Sequence, residues 1–388
     1  MTHSISPPFP FPEMYPGHWL RYRHIDRLQA ELDSLATQRN LDGILLTAPE
    51  NFCWFTAGGD WRNVLFAQTP LAAIFLAEGH RLLVSLSSLT PELLTGELAG
   101  LGFQLKQREF PVDFEGLLLD LCRGRRVGSD TGFGLTPLLA PAIDNLRQSP
   151  SDWTHRNMIE LATEATNLLQ QASRAISPGV TAAAATGQCA RLLLEHQLFP
   201  VQVHVMADEQ ILPHSARASL ESVINRRACL FAITRFNGLH HVLLRNIACH
   251  ALPANELQAW RLAQELLAER IAGTHAGSPF AEVETACEQR IVHARIPDWQ
   301  ISHTCWQLGY RHPERWIGST TVETPEPGTW LYLETRVGPF RCGQTYSVGM
   351  DLLPEIHADW PLRTIIASNG LAVDIPEMLQ SRGGNRTP

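Results

Sequence analysis

Residues 20–37 set Ile25, Leu28, Leu32 and Leu35 on one helical stripe, the three- and four-residue spacing of an amphipathic helix with one buried face. Short apolar runs follow at Gly43–Thr47, Leu71–Leu76, Arg81–Leu86 and Arg126–Ser129. Each is bounded by Gly, Pro or polar residues, so each reads as a buried strand. Helical stretches lie between several of them, and residues 1–150 therefore predict an α/β domain. From Ser151 the pattern changes. Two long helices are expected, His155–Ile176 and Thr181–Leu198, separated at Ser177-Pro178-Gly179. Strand-like runs come next at Val201–Met206, Ala228–Arg235 and His241–Cys249, then helices at Asn255–Ala272 and Phe280–Ala294. Residues 300–375 read mostly as β, with a Pro327-Gly328 turn before Thr329–Val337. Helices and strands are mixed rather than strictly alternating, so residues 151–388 predict an α+β domain.

Composition narrows the chemistry. The chain is 44% hydrophobic and 18% charged, ordinary for a globular protein, with a net charge of −8. No segment concentrates basic residues, which argues against nucleic acid as a partner. The one lysine is Lys106, in a polar stretch; the other thirty basic residues are arginines. A P-loop needs Gly-Lys-Ser/Thr and a Schiff base needs a sheltered lysine, so both chemistries are disfavoured and no cofactor is expected. The eight cysteines form no CxxC pair and sit mostly in apolar runs, which reads as buried thiols in a cytoplasmic protein. No apolar run reaches the roughly 18 residues that a membrane span requires.

Motif searches for HExxH, GxSxG, GxGxxG and Walker A fail. His357-Ala358-Asp359 has the HxD spacing of an iron site but reads as a surface loop. His240-His241 sits on a predicted strand, so the two rings point to opposite faces. His214 follows Pro213 and precedes Ser215, a turn at a strand end where catalytic residues often lie; a histidine there can accept or donate a proton near neutral pH. Glu334 lies in Trp330–Val337. Alternation puts Trp330, Tyr332, Glu334 and Arg336 on one face and Leu331, Leu333, Thr335 and Val337 on the other. The first face is either a solvated face with a cross-strand Glu–Arg pair or a pocket wall.

Three segments carry a resemblance. Leu41–Thr47 with Pro49–Gly58, the joint Ile176–Thr181, and His303–Trp316 occur in the order and spacing of the creatinase, prolidase and aminopeptidase P family. The resemblance spans roughly residues 20–350. It implies the pita-bread fold in the second domain, with a creatinase-like α/β domain before it. Metal-dependent members hold two divalent ions with five carboxylate and histidine ligands. The matching positions here are Phe231, Val242, Cys305 or Trp306, Glu334 and Gly343, so one ligand in five is retained and no metal is expected. Creatinase, a metal-free member, uses a histidine and two glutamates; His214 and Glu334 match two of these, and Leu244 stands at the third. The resemblance thus implies a metal-independent hydrolase of a C–N bond in a small amide, amidine or amino-acid derivative. A repurposed lyase or biosynthetic tailoring enzyme for a small molecule, and a non-catalytic pseudo-peptidase that binds a ligand or partner, are the alternatives. His303, Gln307, Tyr310, Glu314 and Arg245 are expected to line the same cavity. The resemblance also implies a homodimer whose N-terminal domain closes the partner's pocket, with Trp61 and Arg62 clamping the substrate. The bulky cluster Phe52, Trp54, Phe55, Trp61 and Phe66 would then be covered between subunits rather than left exposed.

Overall fold

The computed structural model describes residues 18–62, 71–86, 91–108, 114–208, 221–294, 301–349 and 360–380. The chain divides into two compact units, Met1–Thr154 and His155–Pro388.

In the first unit the stripe of α1 (His18–Gln38) is buried at Ile25, Leu28, Leu32 and Leu35, as its spacing requires. The predicted strands appear as β1 (Gly43–Leu46), β2 (Ala72–Ala77), β3 (His80–Leu86) and β5 (Val127–Ser129). A further strand, β4 (Gln104–Arg108), is polar and lies at the sheet edge, which is why no apolar run announced it. The sheet order is β4-β3-β2-β1-β5. β1 pairs parallel with β5 and β3 with β4; the β1–β2 and β2–β3 pairs are antiparallel. The short helix α2 (Pro49–Phe55) starts on a proline and buries Phe52, Cys53, Trp54 and Phe55. Helices α3 (Phe114–Cys122) and α4 (Ala140–Gln148) complete the α/β unit. Among the described residues, no helix of the chain is long and apolar enough to cross a membrane.

The second unit opens with α5 (Asp152–Arg174) and α6 (Ala182–Glu195); Thr181 caps α6 by accepting from the Ala184 N–H at 3.2 Å. Strands β6 (Phe199–Ala207), β7 (Arg227–Phe236) and β8 (Leu239–Ala248) follow. The β7–β8 hairpin turns on Asn237-Gly238, both at positive φ, the two-residue turn that matches strand twist. α7 (Ala254–His275) and α8 (Phe280–Ala294) precede β9 (Ile301–Gln307), β10 (Arg315–Ile317), β11 (Trp330–Val337) and β12 (Phe340–Ser347). The small strands β13 (Leu362–Ile366), β14 (Ala372–Pro376) and β15 (Leu379–Gln380) close the chain.

Two four-stranded sheets result, β15-β8-β7-β6 and β10-β9-β11-β12. They meet where β8 lies beside β12: the Asn246 amide donates to the Arg341 carbonyl (2.8 Å), and the Thr345 hydroxyl to the Val242 carbonyl (2.7 Å). One face of β11 and β12 packs on α7 and contributes Leu331, Leu333, Val337, Phe340, Cys342 and Tyr346 to the main core. The opposite face of these strands carries Tyr332, Glu334, Arg336, Arg341, Gly343 and Thr345, because cross-strand partners share a face. That polar-aromatic face is buried too.

Candidate functional site

Glu334 sits at the centre of this second face, on β11. Arg341 on β12 grips it with two parallel bonds, Nε to Oε1 and Nη2 to Oε2, each 2.7 Å. The Tyr332 hydroxyl donates to Oε2, also at 2.7 Å. Burial, then the neighbouring carboxylate, pushes the Tyr332 phenol well above its ordinary range, so it stays a donor. Arg341 lies over the Phe231 ring, 5.0 Å from its centroid. Its remaining nitrogen, Nη1, meets the Met206 thioether sulfur at 3.6 Å, a weak acceptor.

The positions at which the resemblance places metal ligands come together around this pair, but with other side chains. Phe231, Trp306 and Tyr332 form an aromatic cluster, with ring centroids 6.4 Å apart for Phe231–Trp306 and Phe231–Tyr332 and 5.2 Å for Trp306–Tyr332. Val242 is fully buried and aliphatic. Gly343 faces Glu334 across the ladder, and a Cβ there would lie 2.5 Å from the Tyr332 hydroxyl oxygen. A carboxylate at 343 is therefore excluded by Tyr332. One carboxylate, with both oxygens already engaged, is not the four- to six-donor set that a divalent ion needs. Among the described residues no cluster of three His, Cys, Asp or Glu side chains is placed to hold a metal ion.

The register settles which residue of β9 faces the site. Trp306 pairs with Tyr332 and shares its face, whereas Cys305 pairs with Leu333 and faces the core. The same pairing corrects two expectations. His303 pairs with Thr335 and Gln307 with Leu331, so both point toward α7, away from Glu334. His303 lies 3.3 Å from Arg270 and 3.5 Å from Glu284, and burial, then the Arg270 charge, lowers its pKa. Arg245 is a third correction. On β8 it shares a face with Leu230, while Phe231 shares the other with Leu244. Its guanidinium stacks 5.5 Å from Trp360, and burial lowers its pKa to about 9.

Tyr310 and Glu314 lie on the loop between β9 and β10. Tyr310 is buried, and Glu314 accepts from the Arg311 N–H at 2.9 Å, bracing the loop against Gly309. His240 anchors that loop by donating its backbone N–H to the Gly309 carbonyl. Its ring lies tilted beside that of His312, which in turn touches Trp306, so Tyr310 and Glu314 support the rim beside the aromatic cluster.

The N-terminal expectations change as well. Phe52, Trp54, Phe55 and Trp61 are buried within their own unit, so these four side chains are not an exposed patch. Arg62, expected at the substrate, forks onto Asp60 (2.7 and 3.0 Å) and reaches the Cys53 sulfur at 3.3 Å within its own unit. Phe66, His214 and His357 lie outside the described residues.

His204 is a site residue that sequence reasoning missed. It pairs with Phe231 and so shares its face. Burial, then the Arg341 charge, holds its pKa below the ordinary histidine value. Arg341 was missed for a different reason: its partnership with Glu334 depends on the hairpin register set at Gly338-Pro339.

No protein-family model matches the sequence, and comparison with curated proteins finds no match. Solved structures do match. An Xaa-Pro dipeptidase from Bacillus anthracis is 15% identical with a TM-score of 0.64, covering 93% of this chain and 99% of its own. A dipeptidase from Pyrococcus horikoshii is 14% identical with a TM-score of 0.66 and the same coverage. An X-Pro aminopeptidase from Thermotoga maritima is 13% identical, TM-score 0.63, over 80% of this chain and 93% of its own. This chain therefore has the two-domain pita-bread fold of the prolidases and X-Pro aminopeptidases, with an arginine-bound glutamate and an aromatic cluster at the centre of its second domain.

Proposed function

We propose that this chain is a metal-independent hydrolase of a C–N bond in a small amide or amino-acid derivative. The observation that carries the reading is the Arg341–Glu334–Tyr332 group. A fixed guanidinium, gripped by a carboxylate that a phenol in turn holds, stands among the positions that the resemblance gives to metal ligands. A preorganised cation in a buried site can polarise a carbonyl and stabilise an oxyanion without reorganising. Arg341 Nη1 is the group available for this role, since its present partner is a thioether. Glu334 then positions Arg341 rather than gripping a substrate guanidinium, because the chain's own arginine already occupies both oxygens. That argues against a cationic amidine and for a neutral or anionic substrate.

Water attack needs a proton acceptor. His204, kept neutral at pH 7 by burial and Arg341, is the candidate on the described face. His214 is the residue to which the resemblance assigns the role. Phe231 and Trp306 would wall the apolar part of the substrate.

A second reading has its own support. Phe231, Trp306 and Tyr332 pack against one another at this centre, which also suits a non-catalytic protein that binds a small ligand. The deciding assay follows amine release from simple amides and N-acyl amino acids after dialysis against a chelator. Turnover that survives chelation and falls at least about 100-fold in Arg341→Met supports the hydrolase, the scale of one oxyanion donor. Turnover that appears only on adding manganese or zinc refutes it, and binding without turnover favours the second reading.

A further inference from the structure

Among the described residues of the Glu334 face, Arg336 is a charged side chain with no ion-pair or hydrogen-bond partner of its own. Arg336 is 9% exposed, and its Nε is buried with no hydrogen-bond acceptor. The carboxylate beside it, Glu334, is already forked to Arg341. The ladder sets Arg336 directly opposite Arg341, and like charges facing each other across strands repel. Two guanidiniums and one carboxylate leave one positive charge in excess, and His204 is held toward its neutral form. Burial and the charge of Arg341 both disfavour the protonated Arg336, with Glu334 offsetting them in part. An apolar side chain here would spare the fold a desolvated, unpaired charge.

We infer that Arg336 anchors an anion subsite, taking a carboxylate or phosphate group of a small ligand in its planar fork. Strand β9 supplies two hydroxyl residues on the same face: Ser302 pairs with Arg336 and Thr304 with Glu334. A ligand held by its anion at Arg336 would extend along the face toward Arg341 Nη1 and the Phe231–Trp306 wall. This inference rests on the reading of the face as a ligand site and names the ligand class; it does not require hydrolysis.

The test titrates the full chain, by calorimetry at low ionic strength, with N-acetylglycine, its neutral amide N-acetylglycinamide, and inorganic phosphate. The acid should bind at least about tenfold more tightly than the amide, the scale of one charge-assisted contact. Arg336→Gln should abolish that preference. Arg336→Lys should keep part of it, since the charge remains while the fork is lost. Phosphate binding that exceeds the acid and depends on Arg336 would support the subsite and identify its anion as phosphate. Without ligand, Arg336→Gln should melt at or above the wild-type temperature. Equal binding of acid and amide together with no phosphate binding, or a preference that survives Arg336→Gln, would overturn the inference. So would a marked loss of thermal stability in Arg336→Gln, which would reveal a structural partner. Absence of turnover with the preference intact would remove the hydrolase and leave the subsite standing.

Discussion

Removing one member of the Glu334–Arg341 pair should cost far more than removing both. The two side chains are 12% and 18% exposed, so solvent screens little of their interaction. Glu334→Leu strands a guanidinium in an aromatic surround, and breaking a buried pair in this way costs about 3–5 kcal/mol. It also takes the acceptor from the fully buried Tyr332 hydroxyl, a loss of about 1–3 kcal/mol that overlaps with the first rather than adding to it. Arg341→Met leaves the carboxylate with only the phenol and should fall in the same range. Glu334→Leu/Arg341→Met replaces both charges with apolar volume and should lie within about 2 kcal/mol of wild type. With a urea slope of about 3 kcal/mol/M, each single change shifts the midpoint of the second unit down by roughly 1–1.7 M. A double-mutant cycle on urea midpoints measures the coupling directly. Single variants losing under about 1 kcal/mol, or a double variant as unstable as the sum of the two, would refute the account of Glu334 as a buried clamp on Arg341.

Gly343→Ala places a Cβ against the Tyr332 ring and hydroxyl, and should destabilise by about 1–3 kcal/mol in the same urea assay. His241 is buried with its pKa lowered to about 3, by burial first and Arg245 second. The unfolded chain protonates this histidine near pH 6.5 and the folded chain does not. Its contribution is therefore fully present above about pH 6.5 and is lost as pH falls toward 3, by up to about 1.4 kcal/mol per pH unit. His241→Asn should flatten the fall in urea midpoint between pH 6.5 and 5, and an unchanged slope would contradict the assignment. Elemental analysis after dialysis should find less than about 0.1 equivalent of manganese, zinc, cobalt or iron, and one or two retained equivalents would overturn the reading of the donor set.

Much of the fold was legible because it follows from local periodicity. The stripe of α1, the helices α5 to α8 and the buried runs of β1 to β3 are set by which positions are apolar, and Asn237-Gly238 dictates its hairpin by backbone conformation alone. Alternation along β11 also grouped Trp330, Tyr332, Glu334 and Arg336 correctly, since side-chain direction within one strand is a local property. What alternation leaves undetermined is phase between strands. His303 and Gln307 were placed beside Glu334, yet the β9–β11 register turns them to α7 and brings Trp306 round instead. Arg245 was misplaced for the same reason on β8, and β4 passed unseen because an edge strand can be polar on both faces. Arg341 reaches Glu334 only because a two-residue turn folds β12 back on β11. Whether the Glu334 face met water or protein was not written in β11 at all. Burial of a strand's second face depends on the neighbouring sheet, and the ring of Phe231 that covers Arg341 comes from a strand about a hundred residues earlier.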